Sequence, residues 1–319
     1  MTSEATLNRP TMSVGVDVDS LWHYYRIHGL DDRDAQNEAW AVGVPRFLEL
    51  FRSLDLSATF YCVAEDLDLF SENREILHQV IAEGHEIGNH TWRHPYALTH
   101  LSQEDQAMEI CEGKRRLEDH GQVEVVGFRA PGYHSHATLQ PTLTFSGHLY
   151  ETSAFPCVPY YLAKLGVIGL MKLRGKRSQS LIGDPRILWA PRRPYIASPH
   201  APYRSSRDPE IGLRHFPISV WSGIPLIGGA LTTLGSKWAE RVSRWAARGL
   251  SSGDHLTIEF HAADLLGVQD DQLDKALLVQ PDLRVSPGKK REIFTHALKA
   301  MMREAEPLRL DALERRLRA

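Results

Sequence analysis

The chain has 319 residues, 42% of them hydrophobic and 24% charged, which excludes disorder as the main state and gives enough apolar mass for a full core. A formal charge of −3 leaves no basic excess to attract nucleic acid. Three cysteines spaced 49 and 46 residues apart make neither a disulfide framework nor a zinc knuckle, and a reducing, cytoplasmic setting is expected. The first ten residues hold no apolar signal core, in keeping with that expectation.

Residues 12–18 read as a strand entering the core. Val44, Phe47, Leu48, Leu50, Phe51 and Leu54 then recur at helical spacing. Ala58–Val63 is a short apolar strand, residues 73–83 a helix ended by Gly84, and Glu86–Asn89 a short strand or turn. Ser102 caps a helix over 102–119, and Val123–Phe128 is the next strand. This alternation predicts parallel βαβ units, in an open sheet or a closed barrel, within a single domain over residues 1–319. Residues 157–214 are long, rich in Pro and Arg, and interrupt the alternation; they are expected to form an inserted cap over a binding face. Regularity resumes with a strand at 215–220, a helix near 237–248, a strand at 256–260, a helix near 288–303 and an amphipathic 308–317. Residues 216–236 carry no charge, but two prolines and four glycines argue against a spanning helix. The apolar stretches 157–171 and 216–234 can instead meet a lipid tail, as a peripheral membrane contact, or pack the core.

Four strand ends carry polar groups. In Asp17-Val-Asp19 the carboxylates share a face by the period of two, and adjacent buried carboxylates need a cation or a shared proton. His90 and His94 stand four apart before Pro95, so one helical turn would align both imidazoles, with Thr91 placed to orient one. One carboxylate with two histidines is a common set for Zn²⁺ or a similar divalent ion. Arg129 ends an apolar strand and needs a buried partner, which the two aspartates can supply. Pro131-Gly132-Tyr133 makes a tight turn whose amides can face a ligand. His261 ends a late apolar strand, with Glu259 on the same face and Asp264 close by. Taken singly, each group has an ordinary structural explanation. Together they sit where ligands bind in such folds, at the carboxyl ends of the strands.

In this order, Asp17-Val-Asp19, His90-Thr-x-x-His94, Arg129-Ala-Pro-Gly-Tyr133 and Ile258-Glu-Phe-His261 resemble the motifs of the NodB-like polysaccharide deacetylases, carbohydrate esterase family 4. The first motif resembles the branch with peptidoglycan-deacetylase-like and aminoarabinose-lipid deformylase-like proteins. The resemblance implies an α/β fold, a distorted, incomplete (β/α) barrel. It implies Asp17 as general base, Asp19, His90 and His94 as ligands of one divalent metal ion, expected to be Zn²⁺, Arg129 as holder of the base and His261 as general acid. Gly132 and Tyr133 are the expected oxyanion and substrate contacts. Glu151 is a candidate for the carboxylate that supports the arginine, and Glu259 stands where the family usually has an apolar residue. The implied activity is a metal-dependent carbohydrate N-deacetylase, a hydrolase of non-peptide C–N bonds. It would remove an N-acyl group, expected to be acetyl, from an amino sugar in a polysaccharide, oligosaccharide or glycolipid. A deformylase, a hydrolase of a non-sugar amide and a catalytically inert sugar-binding member are the alternatives.

Overall fold

The structure is a computed structural model that describes residues 9–28, 30, 37–173, 175, 181–208 and 212–318. Its centre is β1 (Thr11–Val18), every residue of which is buried. The strand is sandwiched in parallel between β2 (Thr59–Cys62) and a late strand, His255–His261. Parallel strands covered on both faces need near-continuous apolar runs, which explains the valines of β1 and makes its polar Asp17 conspicuous. β3 (Glu86–Asn89), β4 (Gly127–Phe128) and β5 (Tyr150–Glu151) continue the parallel order beyond β2. A hairpin of β6 (Tyr195–Ser198) and β7 (Ala201–Ser205) then lies antiparallel on β8 (Arg214–His215), which itself runs parallel to β5.

β9 (Val220–Trp221) and β10 (Ile224–Pro225) form a small hairpin, β11 is the late strand His255–His261, and β12 (Glu306–Pro307) pairs with the start of β1. Irregular chain crosses the gap between β8 and β11. Ser219 N–H donates to Thr257 O (2.9 Å) and Glu259 N–H to Leu226 O (3.1 Å). The sheet is therefore a curled, incomplete (β/α) barrel, as the motifs implied. Helices pack outside it: Phe47 of the helix Val44–Arg52 meets Phe260 of β11, which meets Phe294 of the helix Pro287–Met302.

Three predicted elements change on folding. The strand expected over 123–128 shrinks to Gly127–Phe128. Val125 donates its N–H to Glu118 (3.0 Å) and accepts Lys114 Nζ at its carbonyl, so both its ladder groups are taken by helix side chains. The strand expected over 215–220 stops at His215, because Pro217 offers no N–H. The helix expected near 237–248 begins earlier, at Gly228, and bends at Gly235, whose φ is +71°.

The 157–214 excursion divides into two parts. Its first is the helix Val158–Leu173, none of whose residues is buried. Its second, around Ile187, Ala190, β6 and β7, extends the sheet and buries apolar side chains against Ala154. Residues 174, 176–180 and 209–211 of the excursion lie outside the described residues.

The barrel interior carries a polar column below the strand ends. Thr59 Oγ1 donates to Glu86 (2.6 Å), Tyr150 Oη donates to Glu86 (2.7 Å), and Tyr150 Oη lies 3.3 Å from Tyr61 Oη. Burial, with Asp311 nearby, pushes the Glu86 carboxyl up to about 8 from its ordinary 4.5. Between those values the folded chain holds a proton that the unfolded chain has lost, so this group's contribution to stability falls as pH rises through the window. Relative to wild type, Glu86→Gln is expected to gain several degrees of thermal midpoint between about pH 5 and about pH 9. A difference that stays flat across thermal melts in that range would place the titration elsewhere.

Candidate active site

The β-ladder itself brings the distant motifs together. Register sets Asp17 beside Tyr61 on one side and His261 on the other. Asp19 follows β1, His90 follows β3, and Arg129 follows β4, its N–H donating to Asn89 O (3.1 Å).

Asp19 Oδ1 lies 3.3 Å from His90 Nε2 and 3.5 Å from His94 Nε2, and all three side chains are buried. His90 Nδ1–H donates to the Arg129 carbonyl (2.7 Å), which in the neutral ring leaves the bare Nε2 lone pair facing the Asp19 carboxylate. Two facing lone pairs repel unless a cation or proton lies between them. Asp19 Oδ1 and both ring nitrogens of His94 have no hydrogen-bond partner among the described residues. Burial pushes the His94 imidazole down to about 3, so protonation of that ring is no remedy. Burial opposes the His90 imidazolium, but Asp17 and then Asp19 outweigh it and raise its pKa, so a proton or a cation sits between His90 and Asp19. The carboxylate, the two converging imidazoles and the orphaned atoms of Asp19 and His94 fit a divalent cation.

The helical turn expected for His90–His94 is absent. Thr91 and His94 take left-handed conformations, φ +70° and +56°. Local acceptors capture the amides: Thr91 N–H donates to Asn89 Oδ1 (2.9 Å), Trp92 N–H to Glu109 O (2.9 Å) and His94 N–H to Thr91 Oγ1 (3.0 Å). Thr91 thus orients His94 through its backbone, not its ring. Both imidazoles still converge, by loop geometry instead of helical periodicity.

Arg129 is fully buried and its guanidinium donates to Asp17 Oδ1 (2.5 Å). Glu151 does not support it, contrary to expectation. That carboxylate is bonded by His215 (3.0 Å) and Gln140 (2.8 Å) on the outer side of β5. Arg129 instead lies over the Tyr61 ring, 4.2 Å from its centroid, and donates to Thr152 Oγ1 (3.3 Å). Two glycines open this slot. A Cβ at Gly15 would lie 2.7 Å from Arg129 Nη2, and one at Gly88 would lie 2.4 Å from Tyr61 Cδ1. Burial raises the Asp17 carboxyl, and the charges of Arg129 and His90 oppose that rise.

His261 Nε2 points to Asp19 Oδ2 (3.7 Å), while its Nδ1 lies 2.8 Å from Glu259 Oε1. Of the two acids near it in sequence, Glu259 takes the ring and Asp264 accepts the backbone N–H (2.8 Å). Burial opposes the imidazolium, but Glu259 and then Asp19 outweigh it and hold the His261 pKa well above its ordinary value. His261 is also the partly solvent-facing member of the group, at 27% side-chain exposure. Tyr133 faces it across 6.4 Å between ring centroids. Gly132 and Tyr133 both have positive φ, and the Tyr133 N–H donates to Ala130 O (3.1 Å).

Sequence reasoning missed His23. Its ring is fully buried, lies 4.2 Å from that of His94, and has no hydrogen-bond partner at either nitrogen among the described residues. Burial holds it neutral. The one signal was position, four residues past Asp19 in Leu21-Trp-His-Tyr-Tyr25.

Residues 32–147 match the sequence profile of the polysaccharide deacetylase family. A peptidoglycan deacetylase of Helicobacter pylori is 28% identical over 159 residues, 47% of this chain and 52% of that protein. A peptidoglycan-N-acetylglucosamine deacetylase of Bacillus cereus is 34% identical over 104 residues, 33% of this chain and 46% of that protein. The chain spans about half the length of these curated relatives. A crystal structure from Mycobacterium smegmatis that bears the name polysaccharide deacetylase shares the fold, with a TM-score of 0.60 at 15% identity, over 100% of this chain and 92% of that one. The allantoinase Puue shares it with a TM-score of 0.57 at 14% identity, over 99% of this chain and 91% of that one. The ordered motifs and the family profile agree: residues 32–147 carry the sequence of a polysaccharide deacetylase domain, and the curled barrel is the fold of the NodB-homology type, carbohydrate esterase family 4.

Proposed function

We propose that this protein is a metal-dependent N-deacetylase of an amino sugar carried in a polysaccharide, oligosaccharide or glycolipid. One observation carries the reading: the Asp19, His90 and His94 set, with orphaned atoms on Asp19 and His94, adjoins a carboxylate held by arginine and an imidazole held by a carboxylate. Asp19, His90 and His94 would hold one divalent ion, which we take to be Zn²⁺. Such an ion supplies Lewis-acid polarisation of an acyl oxygen and lowers the pKa of an attacking water.

The chain's own residues do the rest. Asp17, whose ionised form Arg129 favours against burial, takes a proton from the water as it attacks the acyl carbon. An amide N–H of the 131–133 turn steadies the developing oxyanion. Tyr133's own amide is committed to Ala130, so that donor is Gly132. His261, kept protonated by Glu259, gives its Nε2 proton to the leaving amine. An amine leaves poorly without one.

The purified protein is expected to hold close to one divalent ion per chain, and His90→Ala to lose it. Elemental analysis showing equal content in both proteins would defeat the ligand assignment. Acyl release from matched N-acetyl and N-formyl amino sugars, and from non-sugar amides, separates the deacetylase from the alternatives.

Tyr61 has a testable positioning role in this scheme. Tyr61→Leu removes the ring face under Arg129 and should lower kcat about tenfold with metal content and KM unchanged. Tyr61→Phe keeps the face and should stay near wild type. Equal loss in both variants would assign the effect to the hydroxyl and its link to Tyr150.

A further inference from the structure

The helix Val158–Leu173 is built inside out. Its half-buried stripe is Tyr160, Tyr161, Lys164, Ile168 and Met171, so the mid-helix charge lies on the inner side. The outward face is apolar, with Val158, Leu162, Leu165, Val167, Leu170 and Leu173 all exposed, Leu162 at 59% and Leu173 at 87%. A Cβ built at Gly166 or Gly169 would meet no atom within 4 Å, so no other part of the described chain covers this face. A contiguous apolar surface of this kind marks an interaction site.

Charge identifies the partner. From residue 152 to residue 183 the sequence has no Asp or Glu, and it has five cations: Lys164, Lys172, Arg174, Lys176 and Arg177. Four of these fall within six residues of sequence, 172–177: Lys172 is in the last turn of the helix, and Arg174, Lys176 and Arg177 lie outside the described residues. A second copy would bring the same positive run and no carboxylate from this segment. The phosphates of an anionic bilayer are complementary to it, and acyl chains are complementary to the leucine face. The helix is 16 residues, about 24 Å, short of the roughly 30 Å hydrocarbon core. Among the described residues no helix is long and apolar enough to cross a membrane.

We propose that Val158–Leu173 lies in the plane of an anionic phospholipid surface and docks the protein there. The first turn of the helix touches the candidate site. Tyr160 packs near Tyr133 (6.2 Å between centroids), and Tyr133 in turn faces His261. Docking therefore sets the partly open side of the site beside the bilayer. The inference is independent of the deacetylase reading, because vesicle binding needs no turnover.

The test is cosedimentation of the full chain with vesicles of phosphatidylcholine alone and of phosphatidylcholine mixed with phosphatidylglycerol. Wild type should sediment with the mixed vesicles, less so as salt rises. The triple variant Leu162→Glu, Val167→Glu, Leu170→Glu should bind at least about tenfold more weakly with an unchanged thermal midpoint. Should that variant misfold, Lys172→Glu with Lys176→Glu and Arg177→Glu supplies the second test and should lose the salt-sensitive binding. Absence of wild-type binding to mixed vesicles at low salt would overturn the proposal, as would equal binding by the charge variant. A wild-type dimer that the leucine-face variant dissociates, without vesicle binding, would give this face to a second copy instead.

Discussion

Asp17→Asn is expected to keep its metal and to lose turnover by about 10²-fold or more, the usual contribution of a general base. The two aspartates are two residues apart, yet their surroundings assign them different work. Asp17 faces the guanidinium of Arg129 at 2.5 Å, whereas Asp19 faces two imidazoles. Asparagine fits the same space and can still accept from Arg129, so the fold and the Asp19, His90, His94 set should survive. It cannot take a proton from water. The measurement is kcat beside metal content for the same preparation. Near-normal kcat would remove Asp17 from the base role, and lost metal would make it a ligand.

His261→Ala is expected to cripple amide hydrolysis while leaving metal content intact, and to cost much less on an activated ester. The ester's leaving group departs without a proton, so only the amide needs the imidazolium. Glu259→Gln extends the argument to pH. Glu259 lies 2.8 Å from His261 Nδ1 and raises its pKa, so the acid stays protonated toward high pH. Removing that charge lowers the pKa, and the alkaline limb of kcat/KM should move to lower pH. Equal losses on amide and activated ester would mean that His261 holds structure or substrate. An alkaline limb unmoved in Glu259→Gln would detach the carboxylate from the acid.

Asp17, Asp19, Arg129 and His261 were legible because each polar group interrupts or ends an apolar run, and parallel strands collect such ends on one rim. His90 and His94 were legible as a pair for the wrong reason. Helical spacing suggested them, but side-chain and backbone acceptors from Asn89, Thr91 and Glu109 impose a loop. Tyr61 was not legible. It sits in Ala58-Thr-Phe-Tyr-Cys-Val63, an apolar run that reads as plain core. Its role depends on register beside Asp17 and on the space left by Gly15 and Gly88, neither of which a single strand reveals. The short β4 was misread for a related reason, since the groups that replace its ladder, Lys114 and Glu118, come from the preceding helix, 11 and 7 residues before Val125.

The decisive measurement is acetate release from an N-acetylated glucosamine oligosaccharide by the purified chain before chelation, after chelation, and after zinc is restored. Release that chelation abolishes and one equivalent of zinc restores is expected, with Asp17→Asn silent throughout. Release that persists after the metal has been removed, or that Asp17→Asn matches, would contradict metal-dependent deacetylation with Asp17 as the base.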